Sequence, residues 1–169
     1  MGERNQLKTE DSMEGFTLAL ALVDAIPVLF FGISMLIIGS RFGSVLFLIG
    51  AALSFVAGCF KVTWKLILAL KKKDVKWLNK PFLPMQGAGF LLIILSIIIG
   101  FKKINWSTVF SDIIGLPAVI FFALWIILML VMVWYRKTKF KGTDAKSNWT
   151  AQIINAVAQA ALLLGIIFA

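Results

Sequence analysis

From Phe16 to Gly39 the chain reads FTLALALVDAIPVLFFGISMLIIG, 24 residues in which Asp24 alone is ionisable. A helix rises about 1.5 Å per residue, so about 20 such residues cross the roughly 30 Å of a bilayer's hydrocarbon. Further runs of the same grade cover about 44–65, 82–101, 113–135 and 149–168. Only 15% of the chain is charged, against about 25% for an ordinary soluble domain. The expected fold is therefore all-α: an integral membrane protein built as a five-transmembrane-helix bundle. A polar segment, residues 1–15, precedes a single membrane domain over 16–169. That segment is too polar, and the first apolar run too long, for a secretory signal peptide.

Lys and Arg fix the expected orientation, because cytoplasmic loops retain them. Arg4 and Lys8, the connection from Lys61 to Lys80 and the connection from Arg136 to Lys146 hold 14 of the 17 basic residues. The opposite side holds Arg41, Lys102 and Lys103. The amino terminus is expected in the cytoplasm and the carboxyl terminus outside. Short loops and the missing targeting extension suggest a bacterial cytoplasmic (inner) membrane. This topology also accounts for the net charge of +9 without nucleic acid as a partner. Lys71, Lys72 and Lys73 beside the second span form a patch that would attract anionic lipid, although topology determination alone explains them as well.

Zinc, haem and iron–sulfur sites are disfavoured, since the chain has no histidine and a single cysteine, Cys59. No cofactor and no metal site is expected. Enzyme chemistry is disfavoured too, because only Asp24 among the acidic residues lies inside a span, and hydrolases and transferases generally need a base–nucleophile pair, two carboxylates or a metal.

Asp24 is the informative residue. It falls about 13 Å past the membrane edge at about 1.5 Å per residue, and an unpaired carboxylate at such depth costs at least about 2.5 kcal/mol. It must face the interior and be neutralised by a proton, a basic partner or a cation. Pro27 has no N–H to give the Val23 carbonyl and is expected to kink the helix, leaving that oxygen free beside the carboxylate. Freed carbonyls and carboxylates at broken helices build ion sites in transporters. A kink for shape, with a structural hydrogen bond to Asp24, is the plainer alternative.

In the last run, Asn148, Gln152, Asn155 and Gln159 are spaced by four, three and four residues, which puts four amides on one helix face. Interhelical hydrogen bonding would explain one or two. A stripe of four suits a polar cavity open to the cytoplasm, with Gln159 level with Asp24. Lys61 is the first choice as salt-bridge partner for Asp24, with snorkelling to the interface as the alternative. Trp125, in mid-span, is a candidate cavity wall. Gly50, Ser54 and Gly58, at intervals of four, form a small-residue face for helix packing.

These residues together suggest a transporter or solute-binding protein for a small polar or cationic solute, possibly proton-coupled. Five helices make a thin wall for such a task, so a homodimer or a place in a membrane complex is expected. The alternative is a non-transporting accessory, sensor or immunity-type protein whose polar stripe docks a partner helix.

Overall fold

The computed structural model describes residues 17–140 and 144–169. The amino-terminal polar segment with Arg4 and Lys8, and Lys141 of the last basic connection, lie outside them. The described residues form seven helices and no strand: α1 (Leu18–Phe42), α2 (Val45–Lys71), α3 (Lys76–Asn79), α4 (Phe82–Gly100), α5 (Trp106–Ile114), α6 (Ala118–Thr138) and α7 (Ala145–Phe168). Five of them, α1, α2, α4, α6 and α7, are long and apolar enough to cross a membrane, as in a polytopic membrane protein.

Local chemistry sets the helix ends. Thr17, Ser44, Asn105 and Asp144 each accept a hydrogen bond from a backbone N–H of the first turn of α1, α2, α5 and α7, which satisfies one of the orphan donors there. Asp144 starts α7 four residues earlier than the hydropathy pattern suggests. Gly43 turns α1 into α2 with φ of 58°, a left-handed conformation that costs glycine nothing. Lys72 closes α2 in the same region, at φ 51°, and its N–H reaches the Leu68 carbonyl. The second helix thus ends at Lys71, six residues past the end of the expected span at about residue 65.

The fourth span is shorter than expected. It starts at Ala118 rather than Ile113, because Gly115, Leu116 and Pro117 interrupt the helix and Pro117 offers no N–H to continue it. What precedes the break is a separate helix, α5, with none of its residues buried. Its Trp106, Val109, Phe110, Ile113 and Ile114 repeat as an amphipathic helix does. The Trp106 ring lies tilted against Phe101, centroids 4.9 Å apart, and its N–H donates to the Phe101 carbonyl at 2.9 Å.

The five long helices form a row in the order α4, α2, α1, α7, α6, each packing chiefly on its neighbours in that row. Small residues allow the closest approaches. A Cβ added to Gly50 would stand 2.6 Å from the Gly89 carbonyl oxygen of α4, and one on Gly89 would collide with Ser54. Gly58 faces Val28 of α1, and Gly32 of α1 faces the Phe55 ring. The Gly50–Ser54–Gly58 face therefore serves two neighbours within this chain. Between α6 and α7, Phe122 lies on Gly165 and Phe121 stacks on Phe168 at 5.5 Å. Phe47, Ala51 and Ile93 form a core cluster between α2 and α4.

Candidate functional site

Asp24 is buried, and its carboxylate meets an ammonium group. The partner is Lys65, with Nζ 2.7 Å from Oδ2 and both side chains at most 10% exposed. This corrects the expected Lys61–Asp24 pair. The reason lies in helix geometry. α1 and α2 run antiparallel, and the Val28–Gly58 and Phe55–Gly32 contacts put Asp24 level with about residue 62 of α2. Side chains lean toward the amino end of their helix, so Lys65 reaches back to that level whereas Lys61 overshoots it. Lys65 is also seven residues from Gly58, two helical turns, and so on the face that meets α1. Lys61 turns toward α4 instead, where its Nζ stands 4.1 Å from the centroid of the Phe82 ring, a cation–π contact.

Pro27 lies inside the continuous helix α1 and is buried. It supplies no N–H, so the Val23 carbonyl lacks its usual helical donor one turn from Asp24. Asn148 and Gln152 of α7 are buried, while Asn155 and Gln159 are half-buried. Asn148 Nδ2 donates to the Asp144 carbonyl at 3.2 Å, within its own helix. α1 and α7 run parallel and share the cavity at their carboxyl ends, where Ile38 and Phe42 stand with Ile166. Counting back along both helices puts Asp24 level with Ala151 and Gln152. Gln159 is then about 10 Å farther on, at about 1.5 Å per residue, not at the level of Asp24. The earlier start of α7 at Ala145 accounts for the difference.

Gln159 Oε1 and Trp125 Nε1 are both buried without a hydrogen-bond partner among the described residues. One is an acceptor and the other a donor. α6 and α7 are antiparallel, and the Phe122–Gly165 contact brings Trp125 within about a turn of the level of Gln159. Buried polar groups are nearly always satisfied, so this pair in adjacent helices is an exception. The two other buried groups in this condition are the hydroxyls of Ser34 and Ser54.

A cavity lies elsewhere in the molecule. It has a volume of about 690 Å³ and opens at the end of the row opposite Lys65, among Ile38, Phe42, Phe47, Ile97, Leu162 and Ile166, with Arg41, Lys103 and Asp112 also on its lining. None of Val23, Asp24, Lys61, Trp125, Gln152, Asn155 or Gln159 lines it. Ser44 and Ser96, also on the lining, hydrogen-bond each other at 2.6 Å.

Two signals for these features are present in the sequence. Lys65 follows Gly58 by one heptad, which identifies it as the inward lysine. The amphipathic repeat Trp106–Val109–Phe110–Ile113 identifies α5, which forms one wall of the cavity. The cavity itself draws on six separate helices and their loops, so no local pattern encodes it.

No protein-family model, no curated protein and no solved structure matches the chain. Its function has to be argued from the side chains.

Proposed function

We propose that this polytopic membrane protein binds, and moves across the bilayer, a small polar or cationic solute, with Asp24 as the charged group of the site. The Asp24–Lys65 pair carries this reading. A carboxylate within a membrane span is costly to keep and commonly marks a substrate or proton path. Here it is compensated by a lysine three residues before the helix passes Leu68 and reaches the exposed run Lys71–Lys73. An incoming ammonium or proton replaces Lys65 at Asp24, and the lysine, on a flexible stem, withdraws toward water. The total charge of the buried site then stays constant through the exchange. The Val23 carbonyl, Gln152 and Asn155 provide acceptors and donors along the approach, and Gln159 with Trp125 a second polar station about 10 Å deeper.

In this reading the end bearing Lys65 and Lys71–Lys73 faces the cytoplasm of a bacterial inner membrane, as the bias of basic residues favours. Lys71, Lys72 and Lys73, all exposed, sit where anionic headgroups would gather.

The test is thermal stability of the purified protein against small cations, amines and neutral polar metabolites, with wild type beside Asp24→Asn. A solute that stabilises wild type and not Asp24→Asn supports the proposal, and its uptake into vesicles follows as the transport assay. A library that shifts neither protein sinks it.

One observation favours a second reading. α6 buries only Ala118 and Met132, and α4 only Gly89, Ile93 and Ser96, so both flanks of the row are open. A second copy or a partner subunit could pack on them, and the chain would then act as an accessory component. Co-purification of a stoichiometric partner, lost on substituting flank residues of α6, would favour it.

A further inference from the structure

The cavity opposite the Asp24 end plays no part in the proposed solute site, yet it has the chemistry of a binding site. Its volume of about 690 Å³ falls within the range of about 300–1,000 Å³ typical of ligand pockets. Its lining is divided by depth. Residues inside the helices, Ile38, Ile97, Leu162 and Ile166, are apolar, whereas Arg41, Lys103, Asn105, Thr108 and Asp112 come from the last turn of α1, the loop after α4, and α5. A guest that fits both parts has an apolar tail and a polar head.

The sign of the head follows from the charges. Arg41 and Lys103 are two of the three basic residues assigned to this side of the chain, and both line the cavity; the one acidic side chain on the lining is Asp112, and Ala169, the last residue of the sequence, lies there too. Neither Arg41 nor Lys103 makes an ion pair among the described residues. Both are exposed at the rim, where an ionic head stays hydrated while a tail enters the apolar part. Ser44 and Ser96 hydrogen-bond each other, which occupies one of their two hydroxyl donors. α5, with its apolar side exposed and Trp106 anchored to the Phe101 carbonyl, has the form of a helix lying in the interfacial plane. It borders the cavity through Thr108, Val109, Asp112 and Ile113, which places the rim at headgroup depth.

We infer that this cavity holds one anionic amphiphile, its acyl chain between α1, α4 and α7 and its phosphate or carboxylate head between Arg41 and Lys103. The source is the surrounding leaflet, because the apolar part of the cavity is built from membrane-spanning helices. The site is independent of Asp24.

Native mass spectrometry and thermal shift of the purified full chain in a neutral detergent test this, with phosphatidylglycerol, phosphatidylcholine and inorganic phosphate as separate probes. One phosphatidylglycerol per chain is expected to be retained and to raise the melting temperature, with phosphatidylcholine and free phosphate far weaker. Arg41→Gln with Lys103→Gln should weaken phosphatidylglycerol about thirtyfold, each basic group near a headgroup being worth about a factor of five. Val109→Trp, which fills the cavity and leaves the charges in place, should also displace it. Lys71→Gln with Lys72→Gln and Lys73→Gln, at the other end, should leave this site intact. Equal binding of phosphatidylcholine would remove the role of the charges. Free phosphate binding as well as the lipid would remove the role of the apolar part. Loss of binding in the triple-lysine variant, with none in the Arg41/Lys103 variant, would move the lipid to the opposite end. Any of these results overturns the inference.

Discussion

Replacing Lys65 by methionine tests the central geometric finding. The Asp24 and Lys65 side chains are 10% and 9% exposed, and their charged atoms are 2.7 Å apart. At an effective dielectric constant of about 20, charges at that distance attract by about 6 kcal/mol before desolvation is counted. Most of this is offset by the cost of taking both ions out of water, so the pair contributes little net stability compared with an apolar substitute. Removing one partner is different, because it strands the other. Lys65→Met should therefore cost about 3–5 kcal/mol. Lys61→Met removes only a cation–π contact with Phe82, worth about 0.5–2 kcal/mol at a half-buried site. The double variant Asp24→Asn with Lys65→Met has no buried charge left and should return to within about 1 kcal/mol of wild type.

Reversible unfolding in mixed micelles, with dodecyl sulfate as denaturant and helicity as readout, measures all four proteins on one scale. The rescue is the decisive part. Lys65→Met costing no more than Lys61→Met, or a double variant no better than Lys65→Met alone, would refute the pairing. Interchanged roles, with Lys61→Met costly and rescued by Asp24→Asn, would restore the partner that position along the helix first suggests.

Two further outcomes follow from backbone geometry. Gly89→Val should destabilise the protein by about 1–3 kcal/mol, the usual cost of overpacking, since its added atoms meet Ser54 and the Gly50 backbone; the same unfolding assay should show a much smaller effect for Gly87→Val, where no atom lies within 4 Å. Lys72→Gly should raise stability by about 1 kcal/mol, because a left-handed conformation costs an ordinary residue about 1–2 kcal/mol and glycine nothing comparable; no change, measured in neutral detergent, would show that the Lys72 conformation carries no penalty.

The helices themselves were legible because membrane insertion imposes a simple rule: backbone polar groups must be satisfied within the segment. Four of the five expected spans agree with the helices to within a few residues at most ends, and capping residues explain the extensions at Ser40–Phe42 and Ala145–Asn148. The fourth failed at its start because hydropathy does not separate a short amphipathic helix from the beginning of a span; Ile113 and Ile114 read the same in both. The partner of Asp24 was misassigned because depth along a helix was counted at Cα, while a lysine carries its charge about a turn away from its own Cα. Face and lean together select Lys65, and both are properties of the sequence once a neighbour is known. The neighbour is what the sequence did not provide. The stripe Asn148, Gln152, Asn155, Gln159 shows the same limit, since its shared face was readable whereas the level at which it meets α1 depended on where α7 begins.

Two of the helices run from one end of the molecule to the other. α1 carries Asp24 near one end and Ile38, Arg41 and Phe42 of the cavity at the other, and α7 carries Gln152 and then Leu162 and Ile166 in the same order. These two helices pack on each other, with Pro27 between the charged residue and the cavity in α1. A helix lacking one hydrogen bond at Pro27 bends there more readily than elsewhere. Exchange of Lys65 for a solute at Asp24 would change the forces on the short segment below Pro27, while an acyl chain between α1, α4 and α7 would hold the long segment above it. Coupling between the sites is reciprocal, so lipid binding should alter solute affinity by the same factor as solute alters lipid affinity. Pro27→Ala restores the missing donor to Val23 and should reduce that factor toward one while leaving each site able to bind alone. Equal coupling in wild type and Pro27→Ala would show that α1 does not transmit it.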